Sequence, residues 1–111
     1  MKDLTKIEET VLIAIWRLGE EAYGVKIKRH IKKVTGKDYL YSTLYTTFEQ
    51  LVRKGYVTKQ FGAPTAVRGG KRKVFFCITD EGTEALKHAF EKQKAVWRGI
   101  TDESFETGLI S

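Results

Sequence analysis

Between Tyr41 and Thr79 the apolar residues change their period once. From Tyr41 to Lys54 they recur at helical spacing, with Leu44, Tyr45, Phe48, Leu51 and Val52 on the inner face and Gly55 as the stop. From Tyr56 to Phe61 and from Lys73 to Thr79 the pattern reads as strand. In the second of these, Val74, Phe76 and Ile78 alternate with Phe75 and Cys77. The stretch between them, GAPTAVRGGKR, holds the breakers Gly62, Pro64, Gly69 and Gly70, which predicts a β-hairpin with a long loop. A helix delivered straight into a hairpin leaves few ways to bury both, and the flanking segments narrow them further.

Upstream, Leu4, Ile7, Val11, Ala14, Ile15 and Leu18 predict a helix over 4–18 that stops at Gly19. Leu12 and Trp16 form a second stripe on that helix, either wrapped by the domain or facing a partner helix. A second helix runs from Tyr23 to Val34, with Tyr23, Ile27, Ile31 and Val34 inward and Gly36 as its stop. Ser42 or Thr43 is placed to cap the third helix, whose outer face is Ser42, Thr43, Thr46, Thr47 and Gln50. Thr79 or Asp80 caps a last helix ending near Arg98, and the tail TDESFETGLIS is expected to be partly ordered at best. The fold class expected is mainly α with a small β-hairpin: a winged helix-turn-helix over 1–79, then a C-terminal helix and tail over 80–111.

Charge is segregated along this order. Between Ala22 and Ile78 stand thirteen Lys and Arg against Asp38 and Glu49 alone, a net +11, whereas the two flanks together carry −5. A basic centre between acidic ends suggests one face that meets a polyanion. The second helix of such a motif enters a major groove, where small hydrogen-bonding side chains approach base edges. Ser42, Thr43, Thr46, Thr47 and Gln50 fill that role, with Tyr41 and Tyr45 reaching phosphates from the helix edge. Lys26, Lys28 and Arg29 are expected to hold the backbone beside the groove, and Arg68, Lys71, Arg72 and Lys73 to bring the hairpin tip to it. Taken singly, a Ser/Thr-rich face reads as solvated and a basic hairpin as a charged edge; together and in this order they read as DNA binding. The alternative is a protein-interaction adaptor that uses the same basic face. An RNA-binding winged helix is disfavoured because no aromatic platform for unstacked bases is evident.

Other classes find little support. One cysteine, Cys77, precludes an internal disulfide and fits a reducing cytoplasm. One Cys with the distant His30 and His88 makes no zinc site, and no cofactor is implied. No apolar run approaches the ~20 residues that span a bilayer, and the acidic, mixed N-terminus lacks a signal-peptide core. No nucleophile stands beside a positioned base, so an enzyme is not expected.

The stretches AYGVKIKRHI, LYSTLYTTFEQLVRKGYV and RGGKRKVFFCITDEG resemble the PadR family of bacterial transcriptional regulators over about residues 4–98. The resemblance implies a homodimeric winged-helix repressor in which the last helix, with the first, makes the dimer interface. Leu86, Phe90, Gln93, Trp97 and Ile100 then form the expected interface stripe, joined by Leu12 and Trp16. Two recognition helices of such a homodimer are expected to meet successive major grooves, so the expected partner is double-stranded DNA with an inverted-repeat operator. In some short members of the family, aromatic residues near the interface stack on flat apolar effectors, and Trp97 is the residue placed to do so here.

Overall fold

A computed structural model describes residues 2–62 and 73–109. Its elements follow the expected order: α1 (Lys6–Leu18), a 3-10 turn (Gly19–Glu21), α2 (Gly24–Thr35), α3 (Tyr41–Arg53), β1 (Val57–Phe61), β2 (Val74–Ile78), α4 (Asp80–Trp97) and α5 (Asp102–Thr107). The fold is α+β, mostly helical, with one antiparallel hairpin. The loop breakers Pro64, Gly69 and Gly70 lie outside the described residues, as do Arg68, Lys71 and Arg72.

The start of α1 is set by a capping box. The Glu8 amide donates to Thr5 Oγ1 at 3.2 Å, and the Thr5 amide donates to Glu8 Oε1 at 2.8 Å. Glu8 is only 1% exposed, and Lys54 Nζ reaches its carboxylate at 2.7 Å. Burial pushes the Glu8 carboxyl up, but the hydrogen bonds from Lys54 and Thr5 outweigh it and leave the group below its ordinary value. The same Lys54 donates to the Asp3 carbonyl, and Tyr56 Oη donates to that of Lys2, so the N-terminal arm is laced onto the end of α3.

The core is one cluster drawn from α1 to α4 and both strands. Val11, Leu12, Ala14 and Ile15 meet Ile27 and Ile31 of α2, Leu44, Phe48 and Leu51 of α3, and Phe76 of β2. Phe48 and Phe76 stack with centroids 4.5 Å apart, joining α3 to the hairpin. Leu12, expected on a second stripe, is fully buried in this core: α1 packs on α2, α3, β2 and α4 at once, so its covered face is wide. Leu86 is likewise a core residue, beside Ala85 on the half of α4 that lies on α1. Val34, expected inward, is exposed in the last turn of α2.

The hairpin register pairs Val57 with Ile78 and Phe61 with Val74. β2 also has a partner on its other edge. The Phe76 amide donates to the Ala22 carbonyl at 2.8 Å, and Tyr23 bridges Phe75. The connector between α1 and α2 therefore serves as a third strand one bridge long.

Thr79 and Gly82 fasten α4 to this sheet. Thr79 Oγ1 donates to the Gly55 carbonyl at 2.7 Å and accepts from the Gly82 amide at 3.0 Å. A Cβ on Gly82 would stand 2.3 Å from the Tyr56 carbonyl oxygen, so only glycine permits this approach. The tail, expected to be partly ordered at best, contains α5, started by a Thr101–Ser104 capping box. Its Phe105 ring lies 6.3 Å from that of Trp97.

Candidate nucleic-acid interface

The exposed side of α3 carries Tyr41, Ser42, Thr43, Tyr45, Thr46, Glu49 and Arg53, with Gln50 half-buried beside them. Thr46 Oγ1 donates to the Ser42 carbonyl at 3.0 Å, which turns its lone pairs outward as acceptors. Three expectations change here. Thr47 is 3% exposed, not part of the outer face. It falls on the Leu44–Phe48–Leu51 stripe at helical spacing, and its hydroxyl is satisfied by the Thr43 carbonyl at 2.9 Å. Tyr45, expected inward, is 48% exposed. The cap is Leu40, not Ser42 or Thr43, and no side chain bonds this helix start.

Tyr45 packs edge-on against Phe48 below it and lies 5.8 Å from Tyr41. The two phenols roof the first turn of α2, where a Cβ on Gly24 would meet Tyr41 Cε1 at 3.4 Å and Tyr45 Oη at 3.7 Å. Burial first, then the neighbouring Tyr45 and Tyr23 phenols, push the Tyr41 hydroxyl up against the opposing pull of Lys28 and Arg29. The Tyr41 hydroxyl therefore stays a neutral donor in ordinary buffers. Tyr23 carries the patch onto the hairpin: its ring packs on Phe75 at 5.6 Å, and Lys73 Nζ stands 4.3 Å from its centroid.

Among the described residues, five of the central cations are engaged by acids within the fold. Lys26 pairs with Glu21 at 2.8 Å, Lys54 with Glu8, and Lys59 with Glu49 across α3 and β1. Lys28 binds Asp38 and also donates to the Tyr39 carbonyl at 2.7 Å, while Lys32 stands 3.8 Å from Asp38. Lys28 therefore braces the α2–α3 turn instead of reaching outward as expected, and its hydrogen bond holds the Asp38 carboxyl below its ordinary value. Among the described residues, Arg29, Lys33, Lys37, Arg53 and Lys73 are exposed with no acidic partner within 4 Å. The plate is thus sparser than sequence counting predicts. Flank acids such as Glu8 and Glu21 fold back onto it, and linear charge cannot report that. Glu49 was not anticipated on this face; its ion pair with Lys59 offsets its charge.

The expected interface stripe is divided. Leu12 and Leu86 belong to the chain's own core. Trp16 and Phe90, 54% and 60% exposed, line one open depression of about 590 Å³ with Ile13 and Gln93. Trp97 lines another, of about 230 Å³, with Leu4, Ala89, Lys92 and Val96. Ile100 is half-buried beyond α4.

The family model described as the transcriptional regulator PadR-like family matches residues 11–88. A comparison with curated proteins finds no match. Among solved structures, the complex structure of hsRosR-S4, containing RosR of H. salinarum, is 28% identical; the match covers 96% of this chain and 86% of that one, with a TM-score of 0.65. A transcriptional regulator from Clostridium thermocellum shares the fold at 24% identity and a TM-score of 0.69, covering 83% of this chain and 86% of that one. PadR of Bacillus subtilis in complex with operator DNA shares it at 22% identity and a TM-score of 0.64, covering 78% of this chain and 47% of that chain. With a family match that runs from the core of α1 through the hairpin into α4, the chain belongs to the transcriptional regulator PadR-like family.

Proposed function

We propose that the chain is a homodimeric, sequence-specific DNA-binding repressor, working in the cytoplasm and released by a small-molecule or stress signal. The observation that carries this reading is the single surface that joins the hydroxyl face of α3 to the base of the hairpin. Ser42, Thr43 and Thr46 stand exposed on α3, Tyr41 and Tyr45 flank them, and Tyr23 links them to Lys73. In this reading α3 enters a major groove. Ser42, Thr43, Thr46 and Gln50 meet base edges or phosphates, Tyr41 and Tyr45 donate to phosphates, and Arg29, Lys73 and the hairpin residues Arg68, Lys71 and Arg72 hold the backbone. Lys26 joins them by exchanging Glu21 for a phosphate. Residues 1–79 form the DNA-binding unit, and 80–111 supply dimerisation.

Trp16 and Phe90 support the dimer: two large apolar side chains exposed side by side call for a cover. A flat aromatic effector would lie against Trp97. The operator is then an inverted repeat with half-sites about 34 Å apart. The test is titration with duplex DNA at two salt concentrations, before and after replacing Lys71, Arg72 and Lys73 with Ala. Affinity for every sequence should fall, and the log–log salt slope should flatten by about one unit per lost phosphate contact. Weak, sequence-blind binding with an unchanged slope would favour the adaptor reading instead.

A further inference from the structure

Leu40 breaks a local rule in a place where the break has no packing return. N-cap positions favour Ser, Thr, Asp and Asn, and α1 and α4 here follow with Thr5 and Thr79. α3 begins on Leu40, which offers the helix no side-chain hydrogen bond and is 72% exposed. α2 also starts without a side-chain cap, but its Tyr23 is packed on Phe75. Leu40 gains nothing comparable.

Nor is this a loose loop residue. Just before it, Lys28 binds Asp38 and the Tyr39 carbonyl, Lys37 Nζ stands 4.7 Å from the Tyr39 ring centroid, and Tyr39 packs against the core. Just after it, the Leu44 amide closes the first helical bond on the Leu40 carbonyl at 3.1 Å. An aliphatic side chain is thus held in solvent on a braced backbone, next to Tyr41 and Ser42. A rule broken without local compensation marks a functional position.

The geometry points to Leu40 as a specificity residue that reads the C5-methyl of a thymine in the major groove. This rests on the DNA-binding reading above. The first residues of a groove-entering helix are those that reach base edges. An aliphatic side chain has no donor or acceptor to offer them, and the one apolar feature a base edge presents there is the thymine methyl. Lys28 is then a positioning residue, acting through the turn it braces.

The experiment starts by selecting bound duplexes from a random-sequence library with the full chain. Each thymine of the selected site is then replaced singly by deoxyuridine, which removes only the methyl, and affinity is read by fluorescence anisotropy. One thymine per half-site should lose about fourfold in affinity, the worth of one buried methyl. For Leu40→Ala, checked for native helix content by circular dichroism, that thymine and its deoxyuridine counterpart should bind equally while other positions keep their preferences. If every deoxyuridine duplex binds like its parent, or Leu40→Ala keeps the original ratio, the assignment to Leu40 is overturned and the DNA reading stands. If Leu40→Ala alters self-association and not the ratio, Leu40 belongs to a protein contact. If no sequence is enriched at all, the DNA reading itself fails and takes this assignment with it.

Discussion

Replacing Gly82 with Ala tests how tightly α4 is fastened to the hairpin. The added Cβ would sit 2.3 Å from the Tyr56 carbonyl oxygen and 2.8 Å from Ile78 Cγ1, where ordinary contact begins near 3.4 Å. The first turn of α4 must therefore withdraw by about 1 Å, roughly the overlap of the van der Waals surfaces. It is not free to do so. The Thr79 amide is bonded to that same carbonyl at 3.0 Å, and the Thr79 hydroxyl spans Gly55 and Gly82. Overpacking of this kind costs about 1–3 kcal/mol. Weakening the Thr79 cap adds about 1 kcal/mol, and the better helix propensity of Ala returns about as much. A net loss of about 1–3 kcal/mol corresponds to a Tm lower by about 5–20 °C for a domain of this size. The assay is thermal unfolding by circular dichroism at one fixed protein concentration, because association shifts Tm by mass action. An unchanged or higher Tm would refute the reasoning, since propensity alone would then govern the site.

Lys54→Met leaves the Glu8 carboxylate buried without its cation and should cost about 3 kcal/mol at neutral pH, read by urea unfolding. In the parent protein Glu8 titrates below its ordinary value, so its contribution is present above the usual carboxylate range and is lost as pH falls through the lowered folded value. In Lys54→Met, burial acts with that cation removed, so the acid unfolding midpoint should move to higher pH; an unmoved midpoint would show that Lys54 is not what holds Glu8 ionised. The double change Trp16→Glu with Phe90→Glu should shift sedimentation from dimer to monomer while the helical signal persists, because both side chains stand outside the core. A dimer that survives it would place the subunit contact elsewhere.

The period change between α3 and β1 was legible because a helix and a half-buried strand place their apolar residues differently, and Leu44, Phe48 and Phe76 obey that difference. Polarity misled where it was read without position. Thr47 looks like an outer-face residue by type, yet it stands three residues after Leu44 and one before Phe48, on the covered stripe. Leu12 looked like a surplus apolar residue because one helix with four packing partners needs a wider covered face than one helix alone suggests. The candidate site was half legible. The hydroxyls of α3 could be named from the sequence, but the pairing of Lys26, Lys28 and Lys59 with Glu21, Asp38 and Glu49 depends on which turns come together in space. Leu40 was missed because a capping rule is searched by its favoured residues, and its exception carries no mark until exposure is known.

The bond from Phe76 to Ala22 has a mechanical consequence. Residues 22–23 end the turn after α1 and begin α2, so the inner strand of the ribbon is pinned to the pivot between those helices and not merely to its own hairpin mate. Any tilt of α1 imposed by a bound subunit would carry the ribbon's base along with α2, as a lever carries both ends of a crossbar. The reach between helix and ribbon then stays constant, and what a tilt alters is the angle at which the pair is presented.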